Sequence, residues 1–255
     1  MAHQRPIRDL GLALSLLTAV PTPARWPEDG DTQVAAWFPA VGVLVGFVGY
    51  VIVKLALRAH VLQGATYVVA ALVLIAWALG TRLLHWDGLA DVGDGYWGSH
   101  DPTRRLEIMS DSRTGAFGVA CVTLVALLEF SALGALFAVP HEMPVLVVPV
   151  IARFSATAAA WFGTPARPGG LGRSVMGRPT MLSVAIAGLT VTGAVVGLWF
   201  GYGPTGVALG VFGVALALVV PHVLALRFKG VTGDVMGASV LITEALLLAT
   251  FALVL

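Results

Sequence analysis

The sequence predicts an all-α fold: a polytopic integral membrane helix bundle of about seven transmembrane helices, within a range of six to eight, behind a short N-terminal re-entrant or interfacial helix. Three observations predict it. Hydrophobic residues make up 58% of the 255-residue chain and charged residues only 11%, against roughly a quarter charged in soluble domains. Apolar runs recur at the length of roughly 20 residues that carries a helix across about 30 Å of hydrocarbon. Arginine collects in alternate loops, the bias that orients membrane helices.

The elements follow in chain order. The stretch "LGLALSLLTAVPTP" is too short to cross and ends in prolines, so a re-entrant or interfacial helix is expected there. No small-residue cleavage site follows it, so it does not read as a signal peptide. Spans are expected over residues 34–57, 61–80, 116–139, 145–163, 181–200, 206–226 and 235–255. Trp26, Trp37, Trp86, Trp97, Trp161 and Trp199 fall near their ends, where amphipathic rings anchor at the interface. Glycines four apart, Gly42 with Gly46, Gly193 with Gly197 and Gly206 with Gly210, are read as ordinary close helix packing. No internal repeat, low-complexity segment or long linker divides the chain, so residues 1–255 form one membrane-embedded domain.

The same spans sort the charges. One side holds Arg5, Arg8 and Arg25, then Arg82, Arg104, Arg105 and Arg113, then Arg167, Arg173 and Arg178, then Arg227 and Lys229; the other holds only Lys54 and Arg58. The arginine side is therefore expected to face the cytoplasm, in a multi-pass protein of a bacterial cytoplasmic (inner) membrane. The formal net charge of +1 gives no case for nucleic acid. A single cysteine, Cys121, excludes an intrachain disulfide and a cysteine metal cluster.

On that cytoplasmic side lies the longest polar stretch, residues 85–118, with five aspartates and one glutamate. Asp87, Asp91 and Asp94 are spaced i, i+4, i+7, one face of a helix if the second span continues past Trp86. Carboxylates this close repel, the more so near low dielectric. A divalent cation resolves the conflict, and hard oxygen ligands without a His/Cys cluster favour Mg²⁺, with Mn²⁺ able to replace it. Gly88, Gly93 and Gly95 are expected to let a bulky anion approach the backbone. Inside the spans stand three ions at odds with hydrocarbon, Glu129, Arg153 and Glu244. Such groups face the bundle interior or a cavity. Arg153 pairs with Glu129 or Glu244, and a structural role stands beside one in substrate binding.

The pattern "HWDGLADVGDG" followed by "LEIMSDSRTGAFG" closely resembles the signature of the cobalamin 5′-phosphate synthase (CobS) family, the adenosylcobinamide-GDP ribazoletransferases. "LLTAVPTP", "PARPGGLGR" and "GVTGDVMGASVLITE" resemble further family landmarks, so the resemblance covers nearly the whole chain in order. It implies a polytopic, Mg²⁺-dependent transferase of late cobalamin (vitamin B12) assembly. Its substrates would be adenosylcobinamide-GDP and α-ribazole or α-ribazole 5′-phosphate, and GMP its second product. One departure is visible: "GTPARPGGLGRSVMGRPT" has no lysine, which leaves phosphate contacts to arginine and backbone amides.

That chemistry needs screened phosphoryl charge, an activated hydroxyl and a stabilised leaving phosphate. Asp87, Asp91 and Asp94 are the expected metal ligands, with one or two ions. Asp111 in "SDSRTG" completes the metal site or takes the hydroxyl proton, and His85 is the second candidate base. Arg113, Arg167 and Arg173 are expected to clamp phosphate in bidentate fashion. Gly88, Gly95, Arg153, Asp234 and Glu244 complete the expected substrate contacts, with Asp234 and Glu244 ranked above Glu129 because they lie in the "TGDVMGASVLITE" landmark. Assembly into a homo-oligomer is left open by the sequence. Rival readings are a UbiA-type prenyltransferase, a CDP-alcohol phosphotransferase and a cation transporter. The first lacks its pair of NDxxD-like motifs, the second has Asp91 where its pattern has Arg, and the third does not explain the surface carboxylates and glycines.

Overall fold

The computed structural model describes residues 6–27, 32–139 and 141–255; Arg5 lies outside them. Among the described residues the secondary structure is helical, apart from one isolated parallel bridge between Pro165 and Val231. Hydrocarbon imposes this, because a helix satisfies its backbone N–H and C=O groups within its own segment.

Helix α1 (Pro6–Leu17) has 12 residues, about 18 Å at 1.5 Å per residue, and does not cross. It buries Leu12, Ala13 and Leu17 along one side, as an interfacial helix should. A 3-10 turn over Val34–Trp37 leads into α2 (Phe38–Arg58), and α3 (Leu62–Gly80) returns beside it. Then come α4 (Leu84–Gly98), α5 (Pro102–Ile108), α6 (Ala116–Ala138), α7 (Met143–Phe162), α8 (Leu171–Val175), α9 (Met181–Phe228) and α10 (Gly233–Val254).

Five stretches are long and apolar enough to cross a membrane: Val34–Arg58, α6, α7, α9 and α10; the bent pair α3 and α4 makes a sixth if counted as one. Helix α9 runs over 48 residues, more than twice what the hydrocarbon needs. It breaks at Gly203, where φ is 58° and Pro204 follows. Beyond the break, the Gly206 Cα lies against the Leu198 carbonyl, and a Cβ on Gly210 would be 3.1 Å from the Val195 side chain. The halves therefore fold back on each other. Counting them separately is what the expected total of seven adds.

Helix α7 is the most buried span and packs against α2, α9 and α10. Glycine permits the tightest of these contacts: a Cβ on Gly42 would sit 2.5 Å from the Pro149 carbonyl oxygen, and one on Gly46 would collide with the Leu146 carbonyl. Gly193 and Gly197 make no such helix contact within the chain.

The second span does not continue past Trp86. Helix α3 ends at Gly80, and α4 leaves at 88° to it. Arg82 (φ 53°) and Leu83 (φ 58°) are both left-handed and turn the chain. The Arg82 guanidinium holds the corner by donating to the Ser15 and Leu16 carbonyls at 2.8 and 3.2 Å, at the C-terminal end of α1. Asp87, Asp91 and Asp94 thus stand on a separate helix that leaves the end of α3 at 88°.

Candidate active site

The three aspartates of α4 share a helical side, but packing separates their fates. Asp87 is exposed, Asp91 half-buried and Asp94 buried. Asp94 Oδ2 accepts from the Gly115 amide at 2.6 Å, and Oδ1 from the Gly118 amide at 2.8 Å. These are the first N–H groups of α6, which have no partner inside their own helix. Both glycines are needed there, since a Cβ on either would be 2.5 Å from a carboxylate oxygen of Asp94. Asp94 therefore caps α6 with both its oxygens.

A further carboxylate joins Asp87 and Asp91. Helices α4 and α10 cross at glycine: a Cβ on Gly88 would lie 2.9 Å from the Asp234 carbonyl oxygen, and one on Gly237 would lie 3.3 Å from the His85 Cα. This brings Asp234, in the first turn of α10, to the carboxylate side of α4. Burial, then repulsion from Asp234, Asp87 and Asp94, outweighs the attraction of Arg167 and pushes the Asp91 carboxyl up to about 7.

The same close packing corrects one expectation. Gly88 and Gly95 are buried, Gly88 under the Asp234 backbone and Gly95 under Met109, the Arg105 carbonyl and Phe228. They serve helix contact and offer no open backbone to a bulky anion.

Between α4, α8 and α10 lies a cavity of about 310 Å³. Its polar wall carries His85, Asp87, Arg167, Arg173 and the Thr232–Gly233–Asp234 start of α10; Leu17, Phe38, Val175 and Met236 form an apolar wall opposite. Thr232 accepts from the Val235 amide at 3.1 Å and so fixes where α10 begins. The uncapped first-turn amides of a helix this long favour an anion. The arginine loop is pinned to that point: the Val231 amide donates to the Thr164 carbonyl at 2.8 Å, and the Ala166 amide to the Val231 carbonyl at 3.0 Å. Gly170, with φ 98°, turns the loop, and a Cβ on Gly172 would be 2.5 Å from the Gly233 nitrogen. Arg167 donates to the Leu106 carbonyl of α5, and Arg173 is exposed on the cavity wall.

Other expected site residues are not brought together. Asp111 and Arg113 bind each other at 2.7 Å on an exposed turn and do not line this cavity. Hydrogen bonds from Arg113 hold the Asp111 carboxyl down at about 2. Arg153 and Glu244 pair at 3.2 Å, both buried in the bundle beneath the cavity, and neither lines it. His85 does line it; burial and then the charge of Arg153 push its imidazole down to about 3, so the ring is neutral. Among the described residues no three His, Cys, Asp or Glu side chains converge as a ready-made metal cage. Sequence reasoning did not single out the α10 N-terminus as part of the cavity, although Thr232 before "GD" is an N-cap signature.

Fold and cavity define the class: a polytopic membrane protein whose cavity sets carboxylates against arginines and a helix N-terminus. The chain belongs to the cobalamin-5-phosphate synthase family, whose model matches residues 9–252. A protein of Syntrophobacter fumaroxidans named adenosylcobinamide-GDP ribazoletransferase is 38% identical over 95% of this chain and 97% of its own length. Proteins of the same name from Ralstonia pickettii and Bradyrhizobium diazoefficiens are 37% and 39% identical, over 94% and 91% of this chain and 93% and 88% of theirs. No solved structure matches the chain. It is accordingly a multi-pass membrane transferase.

Proposed function

We propose that this chain is an adenosylcobinamide-GDP ribazoletransferase. It joins a ribose hydroxyl of α-ribazole, or of α-ribazole 5′-phosphate, to the phosphorus attached to cobinamide, and the bond from that phosphorus to the GMP oxygen breaks. The observation that carries the reading is the cavity, whose lining brings Asp87 and Asp234 together with Arg167 and Arg173 at the α10 N-terminus. A diphosphate matches the arginines and amides, and the apolar wall suits the acceptor's base.

The residues fit a divalent cation. Asp87, Asp91 and Asp234 supply only hard oxygen donors, Asp91 carries unrelieved repulsion, and Mg²⁺ usually takes one or two carboxylates together with substrate phosphates. Mn²⁺ suits the same donors. When bound, the ion would neutralise charge on the diphosphate. The chain's own groups do the rest: Arg167 and Arg173 orient the phosphates, and His85, neutral, accepts a hydrogen bond from the acceptor hydroxyl and aims its oxygen. Transfer through a loose transition state needs little prior deprotonation, so the hydroxyl proton leaves late, to solvent. Asp111 and Arg113 join only if their turn closes over the cavity. The arginine-rich side, and with it the cavity, faces the cytoplasm of an inner membrane.

The direct test supplies adenosylcobinamide-GDP, α-ribazole and Mg²⁺ to membranes carrying the protein. Release of GMP that depends on both the acceptor and the metal is expected. Prenyl transfer, or no GMP release from correctly inserted protein, would overturn the reading.

A further inference from the structure

Beneath the cavity, side chains of three helices that line one small void carry buried polar atoms with no partner. They are Nε2 of His85 on α4, both carboxylate oxygens of Glu129 on α6, and Nε of Arg153 on α7; Trp77 on α3 lines the void as well, with its Nε1 turned to Gly49. Glu244 on α10 closes the void and engages Arg153. These side chains are between 0% and 4% exposed. Groups so buried are nearly always hydrogen-bonded, and orphaned ones point to water or an ion that completes them. The void measures about 10 Å³, the size of one probe sphere and of one water, which needs two to four polar partners.

We infer that this void is an ordered-water site and that its water sets how His85 is presented to the cavity above. Arg153 Nε–H can only donate, and the Glu129 carboxyl keeps an accepting oxygen in either protonation state, so a water between them is oriented from the one to the other. It donates to Glu129 and accepts from Arg153 and from the His85 Nε2–H. The hydrogen bond at one ring nitrogen decides which tautomer is present. With Nε2 protonated, Nδ1 is left as the acceptor that an incoming hydroxyl requires. Glu129 and Arg153 are thus positioning residues that act through His85. Glu244 holds Arg153 in place at 3.2 Å. This accounts for three ions inside the bundle that the substrate cavity does not use. The water site itself holds whatever the substrate, while the role of His85 rests on the proposed reaction.

The water is read on the intact wild-type protein in lipid nanodiscs by radiolytic footprinting with a rapid switch to ¹⁸O water. Trp77, 4% exposed, should be oxidised about ten-fold more than Phe137, 2% exposed, after correction for intrinsic reactivity. It should also retain ¹⁶O after bulk exchange. Equal protection of Trp77 and Phe137 would overturn the site, and labelling that falls as Na⁺ is added would replace the water by an ion. Glu129→Leu should abolish the excess labelling and Glu129→Gln, which keeps an acceptor, should retain it. For positioning, Glu129→Leu should lower turnover about ten-fold when His85 is present and less than two-fold in His85→Ala, because residues acting as a unit are not additive. Effects that multiply across the two backgrounds would sink the positioning role while leaving GMP release, and so the proposed function, intact. If Glu129→Leu does not insert, the wild-type footprint still decides the water site, and Glu129→Met, which also removes the acceptor, carries the same comparison across the two His85 backgrounds.

Discussion

Single carboxylates on α4 differ in what their loss should do, because they touch different things. Asp87→Asn removes charge from the cavity lining and Asp91→Asn removes the carboxyl beside it, and neither touches a helix cap, so both should insert and melt normally at neutral pH while losing most GMP release. Asp94→Asn leaves one side-chain oxygen for two amides, and should lose about 1 to 2 kcal/mol of stability on the scale of helix caps, read as a fall in melting temperature. Near-normal turnover in both Asp87→Asn and Asp91→Asn would remove the metal from the proposal. Asp91 also gives the metal-free protein a pH signature. Its folded carboxyl holds a proton up to about 7, against 3.8 when unperturbed. Its contribution to stability is therefore fully present below the lower value and is lost as pH rises through the upper. Wild-type melting temperature without metal should fall between about pH 4 and about pH 7, more steeply than that of Asp91→Asn, and Mg²⁺ should recover the loss at the upper end. An identical slope in both proteins would show that Asp91 does not carry this repulsion. On the opposite wall, Arg167→Lys and Arg173→Lys keep charge but lose the guanidinium fork. Each should weaken apparent affinity for adenosylcobinamide-GDP roughly ten- to hundred-fold, as bidentate charge-assisted contacts of about 1.5 to 3 kcal/mol imply. Affinity for α-ribazole should barely move; equal kinetics with lysine would return both arginines to a topological role.

Between elements, glycine decides how near two helices come. A Cβ on Gly88 would meet the Asp234 backbone at 2.9 Å, which cannot rotate away. Gly88→Ala should therefore push α4 off α10, costing about 1 to 3 kcal/mol, and separate Asp234 from Asp87 and Asp91, so activity should fall with stability. A Cβ on Gly193 would have nothing within 4 Å, and Gly193→Ala in the same thermal-shift measurement should be neutral or gain up to about 1 kcal/mol from helix propensity. Equal effects of the two would refute the packing account. The contrast also marks how much was legible. Apolar length located the spans and the i, i+4, i+7 spacing located the carboxylate side of α4, since both depend on local periodicity. The 88° corner was not legible, because Arg82 and Leu83 adopt left-handed backbone without the glycine that announces it. Nor were the hold of α6 on Asp94 and the arrival of Asp234 beside Asp91, contacts between distant elements that no spacing encodes.

For the whole molecule, the distribution of charge and the break in α9 make one joint prediction about topology. The cavity, the acidic helix α4 and the arginine loop sit at one end of the bundle, joined through Val231 and Gly172. In the orientation proposed from positive charge, that end faces the cytoplasm. If α9 crosses twice, its break at Gly203 must lie on the opposite side, where the chain has only Lys54 and Arg58. A Cys121→Ser background removes the single native thiol, and new cysteines at Ser99 and Thr205 then report the two faces. An impermeant maleimide added outside intact spheroplasts should label Thr205→Cys and spare Ser99→Cys, and in inverted vesicles the pattern should reverse. Labelling of Ser99→Cys from outside would turn the whole bundle over and deny the cavity its cytoplasmic substrates. Labelling of both positions in inverted vesicles and of neither in spheroplasts would instead make α9 a re-entrant hairpin, leaving orientation intact and lowering the number of crossings.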